Sequence, residues 1–251
     1  MSKTDSYKEL LPRLDRTRLP RHVGIIMDGN GRWAAQRHRP RLYGHRAGSR
    51  ALRQVVELGV ELGLRALTFY TFSTENWRRE RSEVSGLMKM FRELLSKEIN
   101  ELHQQNIKVL ILGSAREFDP AYLTGIRQLS AVTHQNSGLI LNMAFNYGGR
   151  REIVEGIRKF CDAAQTQPGL LANLDESNFG DYLYTAGQPD PDLIIRTSGE
   201  FRLSNFLIWQ AAYAELYVTD TLWPDFGKAE FVQALLDYQT RDRRFGGVKG
   251  G

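Results

Sequence analysis

The sequence predicts a single α/β domain with a central six-stranded, mostly parallel sheet that is flanked by helices. Short apolar runs alternate along the chain with longer stretches in which apolar residues recur at helical spacing. This alternation is typical of parallel sheets with helices on both faces. With 251 residues and 41% hydrophobic content, the chain can bury a substantial core. It contains no internal repeat, heptad array or low-complexity linker, so one domain accounts for the whole pattern.

The strands are predicted from apolar runs of four to eight residues. Nearly continuous apolar runs of this length are typical of strands that are covered on both faces of a parallel sheet. In chain order the runs cover Val23–Asp28, Ala66–Phe72, Ile107–Gly113, Leu139–Asn146, Leu193–Arg196 and Leu216–Thr219.

Two of the intervening stretches show a clear helical face. One covers Leu52–Leu62, and the other covers Val84–Leu102, for which Ser82 is the predicted N-cap. An apolar face next to a polar site fits two structures, a solid core or the wall of an apolar tunnel. The sequence alone does not distinguish them, although Leu139 and Leu141 would be further candidates for such a wall.

The N-terminal segment, the lengths of the apolar runs and the single cysteine indicate where in the cell the protein is expected. Residues 1–20 are polar and basic, and we expect a loosely ordered arm there, with the domain in residues 21–251. The chain has no apolar N-terminal segment of the secretory kind and no apolar run near the ~18 residues of a membrane span, so we expect a cytoplasmic protein. Cys161 excludes an intrachain disulfide, and we expect it to be a small core residue.

The net charge indicates the kind of partner, and the absence of several known motifs excludes some classes of enzyme. A net charge of +5 and a pI of about 9.3 point to anionic partners without choosing among nucleic acid, phospholipid and diphosphate. The P-loop and dinucleotide-binding glycine patterns are absent, as is the Gly-x-Ser-x-Gly of serine hydrolases. Paired aspartate-rich motifs, which hold the cations of the all-helical prenyltransferases, are absent too.

Polar clusters that contain arginine follow four of the predicted strands. They are Asp28–Trp33, Ser73–Arg79, Asn146–Arg150 and Arg196–Asn205. Such residues also form plain turns. However, the ligands of parallel sheets bind at the carboxyl ends of the strands. Four clusters at one sheet edge therefore predict a shared site for an anion.

The first cluster indicates the kind of ligand. Asp28 stands at the tip of a buried strand, Gly29 and Gly31 let the backbone approach a ligand closely, and Arg32 follows. A carboxylate, free N–H groups and a guanidinium together suit a phosphorylated ligand that carries a divalent cation.

Further cations suggest room for two phosphorylated groups. Arg196, Arg202 and Ser204 lie on one loop and suit a bidentate grip on phosphate oxygens. Arg41 and His45 would supply a second patch. Glu215 stands in an otherwise apolar stretch, where a carboxylate is either paired structurally or a metal ligand.

Two other classes compete at this point. An aspartate-nucleophile phosphatase would also end a strand in Asp28, but it needs a second acid two residues later, where this chain has Asn30. An RNA-binding module would fit the basic pI, but here the arginines gather around a carboxylate, which repels a phosphate backbone.

Seven motifs in order resemble those of the cis-prenyltransferases, the bacterial undecaprenyl diphosphate synthases above all. The resemblance runs from about His22 into the basic tail at 243–247. The motifs are Asp28–Trp33, Gly44-His45, Phe72–Trp77, Asn146–Arg150, Arg196–Glu200, Ser204–Gln210 and Ala214–Tyr217.

The resemblance implies a Mg²⁺-dependent transferase of prenyl groups. It would add isopentenyl diphosphate repeatedly to an allylic diphosphate such as farnesyl diphosphate, with each new double bond cis. We expect a product such as undecaprenyl diphosphate, the precursor of the lipid carrier for cell-wall glycan synthesis, although chain length does not follow from the motifs. The resemblance further implies a tunnel for the prenyl chain, a homodimer and no nucleic-acid partner. Transient association with the inner membrane surface is expected from the lipid product.

The resemblance also assigns roles to residues. Asp28 and Asn76 would be catalytic, and Asp28 and Glu215 would be Mg²⁺ ligands. The segment Arg244-Phe245-Gly246 would approach the active site of a partner subunit. Substrate binding is assigned to Gly29, Asn30, Gly31, Arg32, Trp33, Arg41, His45, Ser73, Thr74, Glu75, Trp77, Arg79, Arg196, Arg202, Leu203 and Ser204.

Overall fold

The computed structural model of the protein describes residues 3–118 and 120–243. Within them one sheet has the strand order β3-β4-β2-β1-β5-β6, and every neighbouring pair is parallel. The predicted six-stranded parallel sheet is thereby confirmed. The strands are β1 His22–Ile26, β2 Ala66–Ser73, β3 Lys108–Leu112, β4 Ile140–Tyr147, β5 Leu193–Thr197 and β6 Glu215–Thr219.

Helices cover both faces of the sheet. The stretch Val84–Leu102 falls inside one helix, as predicted, but Ser82 is not its N-cap, because the helix already begins at Arg81 after Glu80. The α-helices of the described part are α1 Lys3–Leu10, α2 Asn30–Ala35, α3 Arg41–Leu62, α4 Arg81–Gln104, α5 Pro120–Thr133, α6 Gly149–Ala164 and α7 Lys228–Thr240. None of them is long and apolar enough to cross a bilayer.

Side chains alternate along each strand, so the sheet has a core on each face. Val23 and Ile25 of β1 belong to a large core that α3, α4 and α7 cover. Ile26 belongs to a smaller core on the opposite face, together with Phe206 and Leu207. The two cores bury β1, β4 and β5 along their whole length and hold their carboxyl ends in fixed positions.

Two local expectations concern the N-terminal arm and Cys161. The described part of residues 1–20 contacts the domain, since Leu14 joins the large core and the Asp15 N–H donates to Gln239 Oε1 at 3.1 Å, and the loose order of the arm stays a prediction. The expectation for Cys161 needs correction. Cys161 is exposed. It follows Phe160, which lies on the buried face of α6, and consecutive helical residues do not share a face.

Candidate active site

Asp28 lies at the carboxyl edge of the sheet, two residues beyond the end of β1. Its backbone oxygen accepts from the Trp223 N–H at 3.0 Å and from Thr197 Oγ1 at 2.6 Å. Gly29 then turns the chain at φ +101°, and a Cβ there would lie 2.9 Å from a Leu222 methyl group. The Gly29 N–H donates to Asp28 Oδ1 at 2.7 Å. These contacts fix the carboxylate in place while leaving 32% of the side chain exposed.

Arg196 provides a buried positive charge beside that carboxylate. Its side chain is only 6% exposed, and Nη2 lies 2.9 Å from Asp28 Oδ2. Nη1 donates to Ser204 Oγ at 2.8 Å and to the Arg202 carbonyl at 2.6 Å. A buried guanidinium needs such partners, because an unpaired charge in the interior is costly.

Arg32 and Arg202 lie at the outer rim of the site. Arg32 donates to the Ser198 backbone oxygen at 3.1 Å and also contacts the Ser198 hydroxyl. Both arginines contact Glu200, Arg32 at 3.4 Å and Arg202 at 2.6 Å. Glu200 thus holds two exposed guanidiniums at the mouth.

The turn after β2 supplies a third wall. The Ser73 N–H donates to Asn76 Oδ1 at 3.1 Å, which fixes the orientation of the Asn76 amide. Glu75 Oε1 accepts from Asn205 Nδ2 at 3.0 Å. Burial alone would raise the pKa of Glu75, but hydrogen bonds from its own backbone N–H and from Asn205 outweigh burial and hold the pKa below its usual value.

Arg79 and Arg41 form a second positive region, and His45, predicted to be a cation there, lies beside them. Glu83 Oε1 lies 2.9 Å from Arg79 Nη1 and 3.5 Å from Arg41 Nε, so it bridges the two guanidiniums. Burial, together with the charge of Arg79, lowers the pKa of His45 to about 4. His45 is therefore neutral at physiological pH.

A polar cavity of about 570 Å³ joins these walls. Nine of the predicted site residues line it, namely Asp28, Asn30, His45, Ser73, Glu75, Asn76, Arg79, Arg196 and Ser204. The other predicted site residues near it, outside this lining, are Gly29, Gly31, Arg32, Trp33, Arg41, Thr74, Trp77, Arg202 and Leu203. Sequence reasoning missed the lining residues Ile26, Met27, Tyr70, Thr71 and Asn205, although each stands in or beside a quoted motif.

The two predicted tryptophans pack beside the cavity. Trp33 is 8% exposed and stacks on Tyr43, with the Arg37 guanidinium 3.9 Å above its ring. Trp77 packs against Phe72. Their predicted contact with substrate stays a prediction.

Two apolar cavities continue from the polar one. A cavity of about 70 Å³ shares Met27, Asn30, His45 and Thr71 with it. A further cavity of about 160 Å³ lies between α3, α4 and β4, and shares lining residues with the second. Leu94, Leu102 and Leu141, which the sequence offered as tunnel walls, line this third cavity, whereas Leu139 belongs to the solid core.

Glu215 lies far from Asp28 within one chain. It is the first residue of β6 and pairs in register with Leu193, which pairs with Val23. Asp28 stands five residues beyond Val23, so the two carboxylates are separated by roughly 16 Å along the strand direction at ~3.3 Å per residue. Glu215 instead pairs with Arg241 at 3.0 Å. The structure does not bring the two predicted metal ligands together.

Asp28 nevertheless fits a magnesium ion. No group of three or more histidine, cysteine or acidic side chains that could cage a metal occurs in residues 3–118 and 120–243. Mg²⁺ does not need such a cage, because it usually keeps several waters and binds through one or two carboxylates together with substrate phosphates. A single, partly exposed carboxylate at the edge of an arginine-rich cavity matches that coordination.

Comparisons with known proteins agree on one family. A family model described as "Putative undecaprenyl diphosphate synthase" matches residues 26–246. An isoprenyl transferase of Heliobacterium mobile is 48% identical, over 99% of this chain and 96% of that protein. The ditrans,polycis-undecaprenyl-diphosphate synthase ((2E,6E)-farnesyl-diphosphate specific) of Pasteurella multocida is 47% identical, over 94% of this chain and 98% of that protein.

Solved structures agree with these relatives. Lavandulyl diphosphate synthase from Lavandula x intermedia, in complex with dimethylallyl diphosphate, superposes with a TM-score of 0.86 at 35% identity, over 92% of this chain and 99% of that one. A probable undecaprenyl diphosphate synthase from Campylobacter jejuni gives a TM-score of 0.75 at 27% identity, over 90% and 98%.

Proposed function

The chain belongs to the undecaprenyl diphosphate synthase family of prenyltransferases, and from this we propose that it adds isopentenyl diphosphate repeatedly to farnesyl diphosphate to give undecaprenyl diphosphate. The proposed substrates are supported by relatives that are named farnesyl-diphosphate specific. A structural neighbour solved with an allylic diphosphate supports them as well. Each addition forms one carbon–carbon bond and releases one inorganic diphosphate and one proton.

One observation carries the proposal: a polar, arginine-rich cavity shares a wall with an apolar cavity, which in turn shares a wall with a second apolar cavity. A prenyl diphosphate has the same division, with an anionic head and a hydrocarbon tail. Burial of the tail contributes roughly 0.8 kcal/mol per methylene. A site for a hydrophilic phosphoester, or for RNA, would gain nothing from the apolar cavities.

Asp28 is the proposed ligand of Mg²⁺, and the backbone N–H groups of Asn30 and Gly31 would hold the allylic diphosphate with Arg32. The Gly29 N–H, which donates to Asp28 Oδ1, would join them only by leaving that bond. Mg²⁺, when bound, would stabilise the negative charge that develops on the departing diphosphate. Preplaced N–H donors and guanidiniums act on the same charge without reorganising as it forms. Arg41, His45 and Arg79 would support this side of the cavity.

Arg196, Arg202, Leu203 and Ser204 would hold the diphosphate of isopentenyl diphosphate. Arg196 is held rigidly by Asp28 and Ser204, so its guanidinium is presented without loss of rotamer freedom. Asn76 would orient that substrate rather than take up its proton. Its side-chain oxygen already accepts from the Ser73 N–H, and an amide is a poor base.

The proposal extends to an assembly. A homodimer is expected from the family resemblance, and a second copy is one source of a Glu215 carboxylate near Asp28. The segment Arg244-Phe245-Gly246, proposed to approach the partner's site, lies outside the described residues. Transient association with a membrane surface is proposed because the product is a lipid.

Chain elongation tests the proposed function. Purified protein would be incubated with farnesyl diphosphate, labelled isopentenyl diphosphate and Mg²⁺, with and without EDTA. We expect metal-dependent polyprenyl products, and a loss of about 100-fold or more in Asp28→Ala, the scale for removing one electrostatic group at a reacting centre. Asp162→Ala, which removes an exposed acid on α6, is the matched control. Release of phosphate from simple phosphoesters without elongation would contradict the proposal and favour the aspartate-nucleophile phosphatase instead.

A further inference from the structure

Asn205 connects three segments that end at the same edge of the sheet. Its backbone oxygen accepts from the Gly149 N–H at 2.8 Å, and its Oδ1 accepts from the Arg150 N–H at 2.9 Å. Its Nδ2 donates to Glu75 Oε1 at 3.0 Å. Gly149 and Arg150 begin α6, Glu75 lies in the turn after β2, and Asn205 lies in the loop that follows β5. Both the oxygen and the nitrogen of the Asn205 side-chain amide therefore bond to other segments.

Asn205 supplies the N-terminal cap that α6 lacks locally. The first N–H groups of a helix have no partner within the helix. The residue at the N-cap position is Gly148, which has no side chain to accept from them. A Cβ at that position would lie 2.8 Å from both Asn205 Nδ2 and Thr74 Oγ1, so glycine allows the three segments to approach this closely.

The loop around Asn205 adopts a conformation that needs external support. Ser204, Asn205 and Leu207 have φ values of +49°, +66° and +44°, in the left-handed region. Asparagine tolerates this region, whereas serine and leucine rarely adopt it. Tyr70 gives support, since its hydroxyl donates to the Ser204 oxygen at 3.2 Å and its ring stacks on Phe206 at 4.7 Å. The hydrogen bonds of Asn205 in turn fix Asn205 itself, which follows Ser204 in this loop.

The residues on either side of these bonds face the cavity. Ser204 precedes Asn205 and accepts from Arg196 Nη1 at 2.8 Å, and Arg196 also contacts Asp28. Glu75 precedes Asn76, the residue predicted to act at the isopentenyl group. We propose that Asn205 is a positioning residue that sets the diphosphate-binding loop at the correct distance from the turn after β2. This inference rests on the proposed function.

The substitution Asn205→Asp distinguishes the proposed positioning of the diphosphate-binding loop from the capping of α6. An aspartate keeps both acceptors for the α6 N–H groups, and a carboxylate is favourable at a helix N-terminus. It loses the Nδ2 donor and places a negative charge against Glu75. We expect kcat/KM for isopentenyl diphosphate to fall about 10- to 100-fold, the scale of a misplaced substrate group. The KM for farnesyl diphosphate and the thermal unfolding midpoint should stay close to those of the parent protein.

A second substitution tests whether the lost bond is the cause. In the double variant Asn205→Asp with Glu75→Gln, the amide donor moves to position 75 and faces the new carboxylate. We expect this variant to recover most of the lost kcat/KM. Asn178→Asp is the matched control, because Asn178 also accepts from a backbone N–H and donates through Nδ2, in a surface loop far from the cavity.

The outcomes are distinguishable. Elongation by the parent protein with unchanged kinetics in Asn205→Asp would overturn the positioning role. So would a double variant that is no faster than Asn205→Asp. Absence of elongation by the parent protein would instead count against the proposed function itself.

Discussion

His22 is a buried histidine that should make the stability of the fold depend on pH. It lies at the amino end of β1, where Nδ1 is 2.7 Å from the Pro189 oxygen and Nε2 is 2.7 Å from Thr68 Oγ1. Because a carbonyl can only accept, we assign the proton of the neutral ring to Nδ1. Thr68 Oγ1 in turn accepts from Asn142 Nδ2 at 2.9 Å. Burial lowers the pKa of His22 from 6.5 to about 4.

The size and sign of the effect follow from that pKa. Since the folded-state pKa lies below the unfolded one, the unfolded chain takes up the proton first as the pH falls. Stability from a neutral His22 is therefore complete above about pH 6.5 and is lost progressively towards pH 4. The full difference between pKa values of 6.5 and about 4 corresponds to about 3 kcal/mol. At pH 5 about 2 kcal/mol of this has been lost.

Urea unfolding at pH 8 and pH 5 measures the effect. We expect the free energy of unfolding of the parent protein to fall by about 2 kcal/mol more between these pH values than that of His22→Asn, which has no titrating ring. His134→Asn, at an exposed position, controls for the loss of a histidine. Equal losses in the parent protein and His22→Asn would refute the reasoning, whatever their absolute stabilities.

Three further changes probe the site and the cavities. Arg196→Lys loses the planar fork and should raise the KM for isopentenyl diphosphate about 10-fold in steady-state assays, with Ser204 and Asp28 left without their partner. Gly29→Ala, at φ +101°, should lower the free energy of unfolding in urea by about 1–2 kcal/mol and reduce elongation. Arg53 lies on α3 beside the third cavity, and its Nη1 donates to Glu98 Oε2 of α4 at 3.2 Å. Arg53→Ala removes this bond between the two helices and a side chain that lines the cavity. The cavity should therefore hold a longer prenyl chain, and the products should shift to longer chains. An unchanged product ladder, as expected for the control Arg46→Ala two turns earlier on α3, would contradict this.

The sheet and its polar edge were predictable because they follow from local patterns and one topological rule. Strand–helix alternation predicts parallel strands, and parallel strands bring their carboxyl ends together, which places Asp28 and Arg196 side by side. The same rule places Glu215 at the opposite edge of the sheet, since it is the first residue of β6. Only the family resemblance predicted that Glu215 and Asp28 bind the same metal ion, and the structure of one chain does not bring these two residues together.

The features that the sequence did not predict depend on long-range contacts or on helical phase. Asn205 caps a helix that begins 56 residues earlier in the chain, and no local pattern marks such a bond. Cys161 differs from the buried Phe160 by one position, and a turn of about 100° per residue is enough to expose it. Leu14 is buried, and its burial was not predicted, because a single apolar side chain between polar neighbours gives no periodic signal.

The pairing of Asp28 with Arg196 explains how one cavity can be ready for both a cation and an anion. Either charge alone would be costly to hold near the core, and the 2.9 Å contact lets each compensate the other before any ligand arrives. A diphosphate at Arg196 and a cation at Asp28 would replace that contact with two new charge pairs and leave the net charge of the pair unchanged. The rigid partners of both residues, Thr197 and Trp223 at Asp28 and Ser204 at Arg196, keep the two groups in place during the exchange. The fold therefore contributes preorganisation at this edge of the sheet, and under the proposed function the apolar cavities beyond it would select ligands whose charged head carries a hydrocarbon tail.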